Sequence, residues 1–395
     1  MTAEHDARSV NNIVAATQAL APLIAESTGA MDAQRRLPER LVEALRELGA
    51  FRMAVPRAYG GLELDPMTQV RVVEELSRMD GSVGWCAMIS TAGSFGSAFL
   101  SPPVAQRLCG HTNFSLAGQV MPIGRADLVD GGYRVSGRYR FGSGCQHASL
   151  VAGGCIVFEG GKPRRLPDER PEVRVMLFPP SACKILDTWH TTGLSGTGSH
   201  DYVVEDVFVP FEESWNFAER PQCSGPLYRF APLFLVSHAG VPLGLARAAL
   251  DAVEELAEKK ELAPDPHKLF GSRLLRDDSR AHEAVAIAEG QLAAARSFAY
   301  SSLEGLWGTL TRDEKLSARQ RAMYRIMLIH VHRVAKELIT TMYDLAATSA
   351  IYRTSPLDRI MRDILTACQH GMVHPKMYRP AGRMLLGLHA GDPMF

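Results

Sequence analysis

The segment Asp130-Gly131-Gly132-Tyr133-Arg134-Val135-Ser136-Gly137 decides the fold class of this chain. Its Asp-Gly-Gly opening is a hairpin-turn signal, and the alternation that follows is typical of a half-buried β-strand. Strand-like alternation returns at residues 174–178 and 202–204. We therefore predict a small antiparallel β unit over residues 113–222.

Helical periodicity flanks this β unit on both sides. Before it, residues 10–30 and 37–50 place apolar side chains at three- and four-residue spacing, and Asp80 or Ser82 is a candidate helix cap. After it, the pattern predicts long helices and then a last helix that begins near Pro356. This order indicates an α+β protein. The predicted parts are an N-terminal helical domain (1–112), a central β domain (113–222) and a C-terminal helical bundle (223–395).

The composition excludes several classes of function. Lys plus Arg and Asp plus Glu number 43 each, so the charge balance predicts neither nucleic acid nor an anionic membrane as a partner. Seven scattered cysteines without CxxC or zinc spacing predict reduced thiols in a cytoplasmic protein and no metal site. The N-terminus lacks a signal pattern, and we find no apolar run long enough to span a bilayer.

Common catalytic and nucleotide-binding motifs are also missing. The chain has no Gly-x-Gly-x-x-Gly that follows a strand, no Walker phosphate loop and no Gly-x-Ser-x-Gly. A Rossmann-type nicotinamide enzyme and a hydrolase of the nucleophile-elbow type are therefore disfavoured.

Two polar stretches in the β unit are candidates for chemistry. Residues 141–147 place Ser143 between glycines, so that backbone and hydroxyl can approach a flat ligand, although a plain β-turn explains the pattern equally well. Residues 187–199 surround Trp189 with hydroxyls and glycines, which a polar surface loop also explains.

A third stretch lies near the C-terminus. Arg362 and Asp363 are compatible with an ordinary solvated ion pair near a helix start, and His370 follows about two turns later. A structural role is the commoner one for a single histidine, and the sequence contains 13 of them.

Taken together, four motifs that span nearly the whole chain resemble the acyl-CoA dehydrogenase superfamily. They are Val55-Pro56-Arg57-Ala58-Tyr59-Gly60-Gly61, Glu74-Glu75-Leu76-Ser77-Arg78-Met79-Asp80-Gly81-Ser82, Val204-Glu205-Asp206-Val207-Phe208-Val209-Pro210 and Arg362-Asp363. The resemblance implies an acyl-CoA dehydrogenase-like fold with a helical N-terminal domain, a central β-barrel domain and a C-terminal four-helix bundle. It also implies a flavin at the domain junction and a homotetramer.

The function implied is that of a monooxygenase branch of this family. Its dehydrogenases often use a Glu after the Arg-Asp pair, whereas here Gln369-His370-Gly371 stands at that place and no Glu follows Arg362. Ser143-Gly144, His370 and Thr197-Gly198-Ser199 resemble the oxygenase components of two-component flavin-dependent monooxygenases that hydroxylate 4-hydroxyphenylacetate, secosteroids or indoles.

In that branch, reduced FMN or FAD and O2 form a C4a-hydroperoxide. The resemblance thus implies hydroxylation or epoxidation of a small aromatic substrate such as a phenol or indole. Since no NAD(P)H fingerprint is visible, a separate NAD(P)H:flavin reductase is the expected partner.

The resemblance also assigns roles to residues. His370 and Ser143 are the predicted catalytic residues, with Ser143 as donor or acceptor at the flavin N5. The predicted cofactor-binding residues are Gly118, Phe141, Ser143, Gly144, Trp189 and Arg273. The predicted substrate-binding residues are Trp85, Met88, Phe95 and His370. Three alternatives stay open: an N- or S-oxygenase on the same scaffold, an acyl-CoA dehydrogenase, and a catalytically silent flavin-binding homologue.

Overall fold

The computed structural model describes residues 12–262 and 274–392. A helical stretch at residues 12–18 opens the N-terminal region. It is followed by α1 (Ala21–Gln34), α2 (Glu39–Leu48), α3 (Pro66–Met79), α4 (Gly81–Ser94) and α5 (Pro102–Cys109).

Local capping explains where the two central helices of this region begin. At α3, the Asp65 carboxylate accepts a hydrogen bond from the backbone N–H of Thr68 at 3.0 Å, and Pro66 occupies the first helical position. At α4, the Asp80 carboxylate accepts from the N–H groups of Ser82 and Val83. The predicted cap at Asp80 is therefore confirmed.

The middle region is one eight-stranded sheet. Its strands are β1 (Leu116–Val129), β2 (Gly132–Gly142), β3 (Leu150–Glu159), β4 (Lys162–Pro163), β5 (Val173–Phe178), β6 (Lys184–Leu186), β7 (His200–Pro210) and β8 (Ser214–Trp215). The order is β6-β7-β2-β1-β3-β5-β8, with β4 paired to β3, and only β1 and β3 run parallel. This strand order has two end strands, β6 and β8, so the sheet is open. The closed barrel that the resemblance implied is therefore wrong.

The sheet has a small core of its own on one face. Tyr139 and Tyr202 stack at a ring-centroid distance of 5.0 Å, and Phe178 lies beside Tyr139. These rings belong to a cluster of buried side chains that is separate from the main core. The sheet is therefore stabilised as a unit, and β1 also contacts α4.

The C-terminal region is helical. It contains α6 (Gly240–Ala257), α7 (Ser279–Thr311), α8 (Ala318–Ala346), α9 (Pro356–Ala367) and α10 (Tyr378–Leu385). Helix α6 packs on α3, α8 and α9, and α7 packs on α8. The predicted long helices and a helix that begins near Pro356 are confirmed. This helix, α9, ends at Ala367, before His370, and it is not the last one, because α10 follows it.

An ion pair between a buried carboxylate and a partly exposed arginine ties the first region to the last. Glu74 on α3 is 3% exposed. It lies 2.9 Å from the Arg296 guanidinium and accepts a hydrogen bond from the Tyr300 hydroxyl at 3.0 Å, both on α7. Because removal of one partner would leave a buried charge without compensation, the pair fixes α7 against α3.

One apolar segment corrects the expectation that no run could span a bilayer. Residues 231–257 are helical, long enough and apolar enough to do so. However, 89% of the most apolar window is buried inside the protein. The segment runs through the main core, where its apolar side chains contact α3, α4 and α8.

Candidate active site

Trp85 is the residue at which the three regions of the chain meet. It projects from α4, where Gly84 lies so near α3 that a Cβ would come within 1.8 Å of Ser77 Oγ. The Trp85 indole Nε1 donates to Ser143 Oγ at 3.1 Å. Its ring makes an edge contact with His370 at a centroid distance of 5.7 Å. Three of the predicted site residues, one from each region, are thus in direct contact.

Ser143 begins a chain of buried hydroxyls that we call the hydroxyl row, formed by Ser143, Ser199 and Thr197. The Oγ atoms of Ser143 and Ser199 are 2.6 Å apart, and Ser199 Oγ lies 2.7 Å from Thr197 Oγ1. Thr197 Oγ1 in turn donates to the carbonyl oxygen of Leu194 at 2.7 Å. The row therefore connects the turn after β2 with the loop before β7.

A second histidine, His238, lies beside His370. Their ring centroids are 4.7 Å apart, and His238 also makes an edge contact with Trp85 at 6.0 Å. His238 stands at the end of the 3₁₀ segment Ala231–Ala239, directly before α6, and is 1% exposed. The Nδ1 atoms of His238 and His370 are both buried without a hydrogen-bond partner among the described residues.

Burial keeps these imidazoles neutral. It lowers the pKa of His370 to about 4, and burial together with the nearby His370, His332 and Arg325 lowers the pKa of His238 well below its ordinary value. His332 on α8 lies behind them. Its Nδ1 is 2.7 Å from the carbonyl oxygen of Leu328, and its pKa is likewise lowered to about 4 by burial. At neutral pH the site therefore offers uncharged ring nitrogens, which can give or take a proton.

Loop residues 187–199 are fastened to α9 by Asp363. Its Oδ1 accepts from the backbone N–H of Leu194 at 2.6 Å, and Arg362 Nη1 donates to the Thr192 carbonyl at 2.6 Å. A Cβ on Gly193 would lie 2.0 Å from the Arg362 carbonyl oxygen, so only glycine permits this approach. Arg362 pairs with Asp358 and Asp363 is 3% exposed, so the interpretation as a solvated Arg362–Asp363 pair is wrong.

Asp363 belongs to a buried charge cluster. Asp80 and Asp363 both face Arg359, which also pairs with Asp32. Burial, and after it the charge of Asp80, raises the pKa of Asp363 to about 7 against the opposing charge of Arg359.

Phe141, Gly144 and Trp189 are predicted cofactor-binding residues close in sequence or contact to members of the hydroxyl row. Phe141 is 60% exposed, has a φ of 61°, and meets Trp189 edge-on at 6.4 Å. Trp189 Nε1 donates to the Leu194 carbonyl at 3.0 Å. Gly144 has a φ of 76°. Arg273 lies outside the described residues.

Gly118 has a structural reason to be glycine. Its φ is 131°, and a Cβ would lie 2.1 Å from the carbonyl oxygen of Ala152 on the parallel neighbour β3. Next to it, the side-chain Oε1 of Gln119 is buried without a partner among the described residues. A ligand that carries an N–H group would satisfy this acceptor.

The other two predicted substrate-binding residues are core residues. Met88 is fully buried. Phe95 is 1% exposed and packs in an aromatic cluster with Tyr228 at 5.3 Å and Phe99 at 6.1 Å. The contacts of Phe95 are thus with this cluster, and Trp85 is the one that reaches Ser143 and His370.

Sequence reasoning missed His238 as a site residue. It is one histidine of 13, within the apolar run Leu235-Val236-Ser237-His238-Ala239, and nothing in that run distinguishes it. The hydroxyl row had a signal, since Thr197-Gly198-Ser199 was singled out as a motif, but its contact with Ser143 joins residues 56 positions apart. Among the described residues, no group of three or more metal-ligating side chains is arranged to hold a metal ion.

Comparison with known proteins identifies relatives over almost the whole chain. Residues 13–100 match the N-terminal domain model of acyl-CoA dehydrogenases, and residues 236–375 match the C-terminal domain model. An indole-3-acetate monooxygenase from Pseudomonas putida is 32% identical over 363 residues, which cover 91% of this chain and 90% of that protein.

Two further relatives extend this similarity. The oxygenase subunit HsaA of a flavin-dependent monooxygenase from Rhodococcus jostii is 28% identical, over 95% of this chain and 98% of that protein. The crystal structure of a 3-HSA hydroxylase from Rhodococcus sp. RHA1 superposes with a TM-score of 0.86 at 26% identity, over 97% of this chain and 99% of that one.

Proposed function

From the premise that this chain belongs to the flavin-dependent monooxygenases of the acyl-CoA dehydrogenase family, we propose that it hydroxylates or epoxidises a small aromatic substrate, such as a phenol or indole. It is an oxygenase component that uses reduced flavin. The observation that carries the proposal is the contact of Trp85 with both Ser143 and His370. The Trp85 side chain thereby joins the predicted cofactor side of the site to the predicted substrate side.

The residues present fit a bound flavin. Ser143 and Gln119 offer buried oxygen atoms to N–H groups, and Phe141, two residues before Ser143, meets Trp189 edge-on and offers ring surface. A bound reduced flavin would supply the electrons that activate O2 for transfer of one oxygen atom to the substrate. The chain's own part is to exclude water, to hold the ring system and to handle protons.

His370 and His238 are the proposed substrate-facing pair. Both rings are neutral, both have an Nδ1 without a partner in the described part of the chain, and both make edge contacts with Trp85. A neutral imidazole accepts a hydrogen bond from a phenol hydroxyl or an indole N–H, and burial holds both rings in this neutral form. This pair favours an aromatic ring that carries a hydrogen-bond donor.

The residues at the proposed substrate side also disfavour the function of an acyl-CoA dehydrogenase. It requires a carboxylate base beside the substrate, and the segment from Arg362 to the end contains no Glu. Trp85 instead donates a hydrogen bond to Ser143 and makes edge contacts with His238 and His370. Product analysis with matched phenol, amine and sulfide substrates separates carbon oxidation from the N- or S-oxygenase alternative.

The partners and assembly are proposed as follows. A separate NAD(P)H:flavin reductase delivers reduced FMN or FADH2, and rapid NADH oxidation by the purified chain alone would refute this. The chain divides into domains 1–112, 113–222 and 223–395, of which the last contains a four-helix bundle. We further propose a cytoplasmic homotetramer, supported by exposed apolar side chains such as Tyr352 (62%) and Leu386 (80%). Sedimentation gives the oligomeric state.

The decisive experiment is anaerobic mixing of the protein with reduced FMN or FADH2, followed by oxygenated buffer in a stopped-flow spectrometer. We expect a transient spectrum distinct from both reduced and oxidised flavin, with a shorter lifetime in Ser143→Ala and His370→Ala. Ser301→Ala and His111→Ala are matched controls, because both residues are exposed and lie outside the site. Immediate appearance of oxidised flavin in the wild type, or electron transfer to a dye with acyl-CoA, would contradict the proposal.

A further inference from the structure

The hydroxyl row has defined ends. At one end the Trp85 indole N–H meets Ser143 Oγ, and at the other end Thr197 Oγ1 meets the Leu194 carbonyl oxygen. An indole N–H can only donate, and a carbonyl oxygen can only accept. Each of the three hydroxyls between them has one hydrogen.

These ends fix the direction of every hydrogen bond in the row. The Leu194 carbonyl oxygen also accepts from the Trp189 Nε1–H and from the Thr197 backbone N–H, but two oxygen atoms 2.7 Å apart need a hydrogen between them, so Thr197 Oγ1 donates its single hydrogen to Leu194. The contact between Thr197 and Ser199 then requires Ser199 to donate. The contact between Ser199 and Ser143 then requires Ser143 to donate. The three hydroxyl hydrogens can therefore fill the three oxygen–oxygen contacts in one arrangement only. If any hydroxyl turned to the opposite partner, one contact of 2.6 to 2.7 Å would have two oxygen lone pairs and no hydrogen.

The arrangement determines what Ser143 can offer a ligand. Its hydrogen is engaged by Ser199, and one of its two lone pairs accepts from Trp85. One lone pair remains. Ser143 therefore presents an acceptor and no donor to the site.

We propose that Thr197 and Ser199 are positioning residues that make Ser143 an acceptor and so set a preference for the reduced flavin. Reduced flavin carries a hydrogen on N5, which Ser143 can accept, whereas N5 of oxidised flavin carries only a lone pair. This inference rests on the proposed contact of Ser143 with N5. It gives the oxygenase component a reason to take reduced flavin from its partner and to release the oxidised form.

The size of the preference follows from the contact at N5. Reduced flavin gains one hydrogen bond to Ser143, whereas oxidised flavin places its N5 lone pair against the Ser143 acceptor. We expect oxidised flavin to bind about tenfold more weakly than reduced flavin in the wild type. Linkage requires the two-electron potential of the bound flavin to rise by about 30 mV for each tenfold ratio. This potential is a second readout that does not involve turnover.

The test is the ratio of the dissociation constant of oxidised flavin to that of reduced flavin. Both constants are measured anaerobically by ultrafiltration, with FMN and with FAD. Ser199→Ala removes the acceptor that engages the Ser143 hydrogen, and Thr197→Val lets Ser199 reverse; in both variants Ser143 can donate to oxidised N5. We expect the ratio to fall at least about threefold in both variants. Thr197→Ser keeps the hydroxyl and is the matched control, with an unchanged ratio.

The outcomes separate this inference from the function on which it rests. A wild-type ratio near one overturns the inference. A ratio that falls in Ser143→Ala but stays at the wild-type value in Ser199→Ala and Thr197→Val also overturns it, while the contact of Ser143 with flavin stands. Unchanged affinities for both flavin forms in Ser143→Ala overturn the proposed contact itself. Should Thr197→Val fail to fold, Ser199→Ala alone decides.

Discussion

Replacement of Asp363 by Asn tests whether the buried charge cluster stabilises the site or burdens it. In the native protein Asp363 faces Asp80 at the start of α4, Arg359 and Arg362 on α9, and the backbone N–H of Leu194. An Asn at this position keeps an oxygen that accepts from Leu194 but cannot ionise. The substitution thus removes a titration while it retains the hydrogen bond that holds the loop.

The magnitude follows from the shifted pKa of Asp363. The carboxyl group has a pKa of about 7 in the folded protein, against about 3.9 in an unfolded chain. Between these values the folded state binds a proton that the unfolded state lacks, so the free energy of unfolding of the wild type falls as the pH rises through this window. Three pH units correspond to at most about 4 kcal/mol. The stability of Asp363→Asn relative to the wild type should therefore increase from pH 4.5 to pH 8.

The assay is urea unfolding followed by tryptophan fluorescence at several pH values between 4.5 and 8.5. Asp363→Leu is the matched control: it also abolishes the titration, but it leaves the Leu194 N–H unsatisfied and should be destabilised by about 2 kcal/mol relative to Asp363→Asn at every pH. The reasoning would be refuted if the stability of Asp363→Asn relative to the wild type did not change with pH, or if it decreased as the pH rose.

Three further predictions concern single residues. Burial, and then the charge of Arg46, lowers the pKa of His147 to about 4, so this group destabilises the fold as the pH falls from about 6.5 to 4, by up to about 1.4 kcal/mol per pH unit. His147→Phe, which keeps the stacking on Phe51, should reduce the acid dependence of urea unfolding; an unchanged slope would contradict this. Gly118→Ala should lower stability by about 2 kcal/mol or more in thermal unfolding and weaken flavin binding in ultrafiltration. Gly29→Ala on α1 is the control and should not destabilise, because a Cβ added there would meet no other side chain or distant backbone within 4 Å. His238→Leu should raise the yield of hydrogen peroxide per oxidised product with an accepted aromatic substrate, and equal coupling would remove His238 from the site.

Local patterns predicted the order of the regions and several of their details. Period-two alternation after Gly132 and helical spacing elsewhere are set by neighbours in sequence, and so is the cap at Asp80. The pairing of the sheet is different. The parallel contact of β1 with β3 is non-local, and its register shifts between Gln119 and Gly124 where no motif marks it. An open path of strands could not be told from a closed barrel without these pairings.

The candidate site shows the same division at the level of single residues. Ser143 and His370 were predicted as site residues because each stands in a motif that resembles a family, whereas the contact of both with Trp85 is a product of tertiary packing. His238 has no motif, and its position beside His370 depends on how α6 packs against α8 and α9. Glycines, caps and alternation are visible in sequence, but a pair of imidazoles joined across 132 positions is not.

The site selects ligands by what they donate. At neutral pH the two imidazoles beside Trp85 carry no formal charge, because burial keeps His370 and His238 neutral, and Asp80 and Arg359 belong to a separate cluster. The hydroxyl row leaves Ser143 as an acceptor, and Gln119 Oε1, which has no partner within residues 12–262 and 274–392, is an acceptor as well. Unpaired acceptors in a buried, uncharged site favour ligands that bring hydrogens, because an acceptor left without a partner costs about 1–3 kcal/mol. Reduced flavin at N5 and a phenol or indole at its O–H or N–H satisfy this requirement, whereas oxidised flavin at N5 and a substrate without a donor do not. One physical property therefore sets both the redox state of the proposed cofactor and the class of the proposed substrate.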